Sequence, residues 1–256
     1  MKKMFLVALL LGMGWLGAYG QKLMVLGGSA DFLLMKASRI RDSVQIDRSL
    51  LTVRYRFSTA HPSPDGSPVW CDILVQVGER YIKQTDLCLH YDCLIWTAPA
   101  ASESLFAARE KAGVRPSNLF SEIVCDRESR EMQVVCGDFF QDAAKMYAQP
   151  LPQITWKLSE EEQTVCGYTC RRADARFGGR NWTVWYAPEI PLATGPWKLN
   201  GLPGLILRAT DNRDFTFDCV GIDQCPAPVM RYAYENVQDL RTLHNYLRCL
   251  LYTSDA

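Results

Sequence analysis

Most of the chain alternates between apolar and polar residues with a period of two, which is typical of β-strands that bury one face. The clearest run extends from Leu51 to Phe57, where every second residue is apolar. Similar runs occur near residues 69–77, 122–126, 132–137, 164–170, 181–186, 204–209 and 214–220. Roughly eight antiparallel strands with few helices predict a mainly β fold. We expect one strongly curved antiparallel sheet or an incomplete barrel, with a two-sheet sandwich as the alternative.

Only two helices are predicted. A short one lies around Ser104–Ala112, and a terminal one begins at Asn236, a suitable N-cap, and ends at Arg248. Its apolar face would consist of Val237, Leu240, Leu243 and Leu247. The polar stretch Asp211–Asp214 is typical of a hairpin turn. No Ser/Gly-rich linker and no internal repeat divide the chain, so residues 21–248 are predicted to form a single β-rich domain.

The first twenty residues have the pattern of a secretory signal peptide. Lys2 and Lys3 precede an apolar stretch, and Ala18-Tyr19-Gly20 supplies the small residues of a cleavage site before Gln21. The apolar stretch is shorter than a bilayer crossing requires, so no transmembrane segment is expected after cleavage. The sequence therefore predicts a periplasmic or secreted protein.

The last eight residues have a different explanation. Residues 249–256 resemble translated sequencing-adapter read-through, and we interpret them as a non-native tail.

The charge balance excludes one class of partner. Lys plus Arg and Asp plus Glu both number 28, whereas nucleic-acid binding favours a basic chain. No nucleic-acid partner is predicted.

Nine cysteines lie between Cys71 and Cys225, and in a secreted chain they are first interpreted as disulfides. Two predicted strands end in Cys125 and Cys136. A two- or four-residue loop centred on Arg130 and Glu131 would place these cysteines opposite each other, within disulfide reach. A three- or five-residue loop would turn them to opposite faces.

Sites for enzyme or metal chemistry are weakly indicated. The chain has three histidines, and neither a Gly-x-Ser-x-Gly elbow nor a His-Glu-x-x-His motif occurs. Cys88, His90 and Cys93 are legitimate soft-metal ligands. Zinc ligands usually come as two separated pairs, however, and a local disulfide or a surface loop is favoured at this position. No catalytic residue, metal site or cofactor is predicted.

The segment Gly195–Leu207 combines turn residues with an apolar run. Prolines 196 and 203 fix φ, glycines 201 and 204 can take positive φ, and Trp197 and Leu202 can pack beneath the loop. The run Leu205–Leu207 lacks alternation, so it is predicted to be a strand buried on both faces. The segment is thus interpreted as an architectural corner, built on Gly195, Pro196, Gly201, Pro203 and Gly204.

This segment contains the string Gly-Leu-Pro-Gly-Leu-Ile and resembles the GLPGLI family of Bacteroidetes envelope proteins. The resemblance extends upstream through Trp156-Lys157-Leu158, Gly167-Tyr168-Thr169-Cys170, Arg172-Ala173, Phe177-Gly178-Gly179-Arg180, Trp185-Tyr186 and Glu189-Ile190-Pro191. The family has no settled biochemical activity. Its genes often lie near those of outer-membrane TonB-dependent receptors, which implies a role accessory to transport or envelope maintenance.

Both faces of the strand 181–186 carry aromatic residues, so one face could line a groove. We therefore hypothesise a secreted, non-catalytic envelope protein that binds a ligand or a protein partner. The candidate contact residues are Arg180, Trp182, Trp185, Trp197, Lys198 and Leu202. A thiol-based or hydrolytic enzyme and a metal or redox protein remain as alternatives.

Overall fold

The computed structural model describes residues 40–60, 69–114, 121–137, 144–235 and 237–253. The predicted signal peptide lies outside these residues. The strands are β1 (Ile40–Thr59), β2 (Val69–Gly78), β3 (Tyr81–Asp86), β4 (Ser121–Asp126), β5 (Glu131–Gly137), β6 (Ala144–Pro150), β7 (Lys157–Val165), β8 (Tyr168–Phe177), β9 (Arg180–Ala187), β10 (Leu205–Asp211), β11 (Phe215–Asp223), β12 (Pro228–Tyr234) and β13 (Val237–Thr242). The helices are α1 (Leu87–Thr97), α2 (Ser102–Lys111) and α3 (Leu243–Thr253), with a 3-10 turn at Pro99–Ala101.

These strands form one large sheet in the order β13-β6-β5-β4-β3-β2-β1-β11-β10-β9-β8-β7, and β12 pairs with the first half of β1. The β13–β6 pair is parallel, and the other pairs are antiparallel. Within the described ranges β13 and β7 end the order without pairing to each other, so the sheet is open. The prediction of one strongly curved antiparallel sheet or incomplete barrel is confirmed as a single, mainly antiparallel sheet, and the described strands do not form the alternative two-sheet sandwich.

Strand β1 connects the two halves of the sheet. Its second half pairs with β2 on one side and with β11 on the other. The alternation in the sequence is preserved there, because Leu51, Val53, Tyr55 and Phe57 are all buried in the main core. The predicted hairpin at Asp211–Asp214 is also present, between β10 and β11.

The sheet curves around Trp197, which lies in the loop between β9 and β10. The Trp197 ring lies 5.9 Å from the ring of Trp182 on β9. Its backbone N–H donates to the side chain of Gln84 on β3. Five inter-strand steps separate β9 from β3, which is about 24 Å across a flat sheet. A single residue can contact both strands only because the sheet wraps around it.

Two helical predictions need correction. Helix α1 occupies a segment that the sequence favoured as a surface loop or local disulfide, and Asp86 caps it by accepting from the N–H groups of Cys88 and Leu89 at 2.8 and 3.2 Å. The terminal helix begins at Leu243 rather than Asn236, because residues 237–242 form β13 beside β6. Helix α3 continues into the segment 249–253, the start of the predicted non-native tail.

The predicted pairing of Cys125 with Cys136 is wrong. The hairpin turn spans residues 127–130, so that Cys125 lies opposite Met132 and Cys136 lies opposite Ser121. Asp126 fixes this turn by accepting from the N–H groups of residues 128 and 129 at 2.9 and 3.3 Å. The two cysteines are four residues apart along the ladder, about 13 Å, and both are free thiols.

None of the described helices combines the length and the apolar character that crossing a bilayer requires.

Candidate functional site

The loop between β9 and β10 is held by its own backbone. The N–H groups of Leu205 and Ile206 donate to the carbonyls of Ile190 and Thr194, each at 3.0 Å. Thr194 also forms an isolated antiparallel bridge with Asn200. The loop is therefore fixed at both ends, and its apolar continuation, residues 205–207, is fully buried as the sequence predicted.

Glycine is required in this loop for two different reasons. Gly201 has φ of +91°, which residues with a Cβ rarely adopt. Gly204 does not have positive φ, but a Cβ there would lie 2.4 Å from the carbonyl oxygen of Ala187. The sequence therefore indicated two special glycines correctly, but the one before β10 is needed for close packing of two backbones.

Four alanine substitutions separate these effects. We expect Gly204→Ala to lower the free energy of unfolding by about 1–3 kcal/mol, because a backbone must move. Gly179→Ala tests positive φ alone, because residue 179 has φ of +72° and the added Cβ meets no atom within 4 Å. We expect this variant to lower the free energy of unfolding by about 1 kcal/mol. Gly201→Ala should lower the free energy of unfolding by about the same amount as Gly179→Ala, about 1 kcal/mol, because residue 201 also has positive φ. Gly221→Ala, with neither constraint, should change stability by less than about 0.5 kcal/mol. Urea unfolding of the four variants measures this, and equal losses at residues 204 and 221 would contradict the packing explanation.

Trp197 is the centre of an aromatic cluster beneath the loop. Its ring lies 5.4 Å from Phe177 and 5.9 Å from Trp182, and only 7% of the residue is exposed. Its φ of +55° is unfavourable for a residue with a Cβ. The surrounding contacts thus hold Trp197 in a conformation that its own backbone does not favour.

Lys198 is fully buried next to Trp197, at 1% exposure. Its Nζ donates to the hydroxyl of Tyr147 at 3.1 Å and to Oε1 of Gln149 at 3.2 Å. Neither partner is charged, and among the described residues no carboxylate forms an ion pair with it. Burial lowers the pKa of Lys198 to about 8 from its usual 10.5. A buried cation without a counter-ion favours the approach of an anion.

A cavity of about 240 Å³ lies between this loop and the inner face of β2–β5. Its strand wall is mostly apolar and is supplied by Val75, Val77, Ile82, Gln84, Ile123, Cys125 and Met132. Its loop wall is formed by Leu192, Ala193, Thr194, Gly195, Trp197, Lys198, Leu199 and Asn200, and Leu151 completes it. The cavity is thus a mainly apolar chamber, covered by residues 192–200 of the β9–β10 loop.

All the charged groups at this cavity are basic. Arg127 and Arg130 belong to the exposed β4–β5 turn, whereas Lys198 is buried in the loop wall. No Asp or Glu occurs among the described residues that line the cavity. One nitrogen of Arg127 donates to the carbonyls of Gly78 and Glu79 at 2.9 and 3.0 Å. The cavity therefore combines apolar walls with a positive potential.

The structure separates the residues that the sequence grouped as ligand contacts. Trp197 and Lys198 line the cavity, but Arg180, Trp182, Trp185 and Leu202 do not. Arg180 is held by Asp211 and by Asp214, and its guanidinium lies 3.7 Å over the ring of Phe215. Trp182 and Leu202 are core residues at 1% exposure, whereas Trp185 is half-buried on the other side of β9.

The weak metal candidate Cys88, His90 and Cys93 lies on helix α1. Among the described residues, no group of three His, Cys, Asp or Glu side chains is arranged to hold a metal. Cys88 instead contacts the guanidinium of Arg109 at 3.1 Å and Asp92 at 3.7 Å. Cys93 is fully buried, and burial raises its pKa well above the usual range. Cys88 therefore lies between α1 and α2, whereas Cys93 packs with Ile40 and Tyr232 of the sheet.

Sequence reasoning missed Gln84, Arg127 and Arg130. They lie on β3 and on the β4–β5 turn, far along the chain from the loop that they face. Gln84 is polar in an otherwise apolar wall and accepts from the N–H of Trp197. The only sequence signal for Gln84 was its position as a single polar residue on an otherwise apolar face of a strand.

Comparison with known proteins supports the fold more than the function. No curated protein matches the sequence. Two crystal forms of PNGF-II match structurally: the P21 form with a TM-score of 0.52 and 12% identity over 81% of this chain, and the C2 form with 0.51 and 13% over 80%. The chain spans about a third of the PNGF-II chain, 34% and 33% respectively. At this identity the likeness concerns the fold alone.

The Pseudomonas aeruginosa MucA/MucB complex matches with a TM-score of 0.33 and 11% identity, over 78% of this chain and 58% of that one. This likeness is too weak for an inference. A family model described as "Protein of unknown function (Porph_ging)" matches residues 178–208. That short stretch covers β9 and the cavity loop, so this chain is similar to that family across the segment that encloses the candidate site.

Proposed function

We propose that this protein is a non-catalytic envelope protein that binds a small ligand with an apolar body and an anionic group. The observation that carries the proposal is the charge of the cavity, whose described lining includes three basic residues and no acidic one. Apolar walls bind the body of such a ligand, and converging cations orient its charged end.

The size of the cavity limits the ligand. Ligand sites for drug-sized molecules usually measure about 300–1,000 Å³, whereas this one measures about 240 Å³. A short- or medium-chain carboxylate fits this size. Lys198 is the group that such a carboxylate would reach inside the cavity, and the two arginines would attract it at the mouth.

The location and the physiological role complete the proposal. The predicted signal peptide supports a location in the periplasm or outside the cell. The resemblance to the GLPGLI family supports a role accessory to outer-membrane TonB-dependent transport, in which the bound compound is transferred or sensed rather than chemically changed.

The test uses octanoate as an anionic probe, octanol as its uncharged counterpart and octylamine as its charge-reversed counterpart. By isothermal titration calorimetry, octanoate should bind at least about tenfold more tightly than octanol, because a charge-assisted hydrogen bond contributes about 1.5–3 kcal/mol. Lys198→Met should remove this preference while octanol binding remains. Lys157→Met, at an exposed lysine on β7, is the matched control and should leave both affinities unchanged.

The pH dependence gives a second measurement. The ligand-free pKa of Lys198 is about 8, and a bound carboxylate raises it further. Octanoate affinity should therefore be nearly constant between pH 6 and 7 and should fall as the pH rises through about 8, because the free protein loses the proton of Lys198. Arg130→Gln, at the exposed mouth, should weaken octanoate binding without unfolding the protein. Equal binding of octanoate and octanol, or no saturable octanoate binding, would sink the proposal.

A further inference from the structure

Lys198 has two hydrogen-bond partners on β6, and both are uncharged. Its Nζ donates to the hydroxyl of Tyr147 at 3.1 Å and to Oε1 of Gln149 at 3.2 Å. A lysine ammonium has three N–H donors. No other described residue accepts from Nζ, so one donor remains for a ligand.

Strand β6 holds both partners beside the cavity. Tyr147 and Gln149 lie on the same face of β6, since they are two positions apart in the strand. Gln149 is opposite Met132 of β5, which lines the cavity. The Tyr147 ring is buried and stacks on Tyr246 of α3, with 4.9 Å between the ring centroids. The sheet and α3 therefore fix the two acceptors, and the acceptors fix the ammonium.

Two aromatic rings complete the surroundings of the ammonium. Nζ lies 5.4 Å from the ring centroid of Tyr147 and 5.9 Å from that of Trp197. Aromatic faces attract a cation at such distances but do not neutralise its charge. The ammonium is thus stabilised by dipoles and rings alone, and its positive charge remains available to an anionic ligand.

The other titratable groups near the ammonium carry no negative charge at neutral pH. Burial raises the pKa values of two thiols and one phenol on the inner face of β4, β5 and β6, namely Cys125, Cys136 and Tyr147. Tyr246 of α3 faces Tyr147. Besides Lys198, the charged residues in the described lining of the cavity are Arg127 and Arg130. A titration of the site near pH 8 therefore belongs to Lys198.

We propose that Tyr147 and Gln149 are positioning residues of the anion site and make it selective for a carboxylate. The inference rests on the proposed function, because it concerns the same cavity. With two donors already used, Lys198 offers one N–H to the ligand, and one carboxylate oxygen accepts it. A phosphate group would bring three oxygens and nearly two charges between mainly apolar walls, where most of these oxygens would lack donors. A carboxylic acid is therefore the ligand class that this arrangement fits.

The positioning role is tested first without a ligand. The full chain with 13C-labelled lysines is titrated by NMR, and the signal missing from Lys198→Met assigns residue 198. The wild-type signal should titrate near pH 8. Tyr147→Phe should lower this midpoint to about 6–7, because the ammonium loses one of its two hydrogen bonds. Tyr55→Phe is the matched control: it removes a buried hydroxyl that donates to the carbonyl of Ile206 at 2.7 Å, and the midpoint should not change.

Gln149→Glu tests the opposite direction. The new carboxylate would be a counter-ion for Lys198, so the midpoint should rise above about 9. Calorimetry at about pH 7.5 should then show no preference of this variant for octanoate over octanol. Gln238→Glu, at an exposed glutamine on β13, should keep the preference. The wild type should bind octanoate at least about tenfold more tightly than octyl phosphate.

The outcomes separate this inference from the proposed function. A Lys198 midpoint that is unchanged in both Tyr147→Phe and Gln149→Glu would overturn the positioning role, even where the wild type prefers octanoate to octanol. Octyl phosphate that binds as tightly as octanoate would overturn the selectivity. Equal binding of octanoate and octanol by the wild type would overturn the proposed function and the selectivity with it, while the ligand-free titration decides the positioning role independently.

Discussion

Trp197→Ala is expected to lower the free energy of unfolding by about 3–5 kcal/mol. The ring packs against Phe177 and Trp182 in the core, and its removal leaves a hole where the sheet wraps around the loop. For a protein of this size the melting temperature should fall by roughly 6–20 °C. Differential scanning calorimetry of the variant and the wild type gives both numbers.

Two further variants control this prediction. Trp185→Ala removes the same side chain from a half-buried site on the other face of β9, so its effect should be clearly smaller. Trp197→Gly should be more stable than Trp197→Ala by about 1 kcal/mol, because glycine tolerates the positive φ of residue 197. A Trp197→Ala protein as stable as wild type would refute the packing role and leave Trp197 primarily as a ligand contact.

Glu122→Ala should have a comparable effect on the opposite side of the sheet. Glu122 and Lys83 form an ion pair at 2.8 Å, and their side chains are 3% and 1% exposed. The carboxylate also accepts from the hydroxyl of Tyr234 at 3.0 Å. Removing it leaves the Lys83 ammonium buried without its counter-ion, and such changes cost about 3–5 kcal/mol. Urea denaturation of the variant measures the loss.

The double variant Lys83→Met, Glu122→Leu should recover most of this loss, because no uncompensated charge remains. An exposed pair provides the matched control. Arg172 and Glu161 lie 2.9 Å apart at the surface, so Glu161→Ala should cost at most about 1 kcal/mol. If Glu122→Ala and Glu161→Ala lost the same small amount, the buried pair would not be needed for stability.

The strands that were predicted record their burial locally, whereas β3, β6, β12 and β13 were not predicted, and the predicted strand 164–170 contains the β7–β8 turn at residues 166 and 167. The alternation in β1 and the unbroken apolar run of residues 205–207 both follow directly from which faces are covered. Helix α1 was missed because it packs between the sheet and α2 and has no continuous polar face. Its apolar residues therefore show neither the helical nor the strand period.

The register and the cavity depend on information that the local pattern lacks. A shift of two residues in the centre of the β4–β5 turn keeps every side chain on its face, so alternation could not exclude the wrong pairing of Cys125. Asp126 determines the register, because its side chain accepts from the N–H groups of residues 128 and 129 and so fixes the position of the turn. The cavity arises where β3 and the β9–β10 loop meet across a curved sheet, and only the three-dimensional curvature brings Gln84 to Trp197.

Strand β7 has a consequence for the behaviour of the protein in concentrated solution. It ends the described sheet and carries three consecutive glutamates, residues 160–162, and its register with β8 shifts between Leu158 and Glu162. An open sheet exposes backbone donors and acceptors to which strands of other molecules can add. A run of like charges and a local irregularity both oppose that addition. The acidic run of β7 therefore contributes to solubility, by keeping the sheets of separate molecules from joining edge to edge.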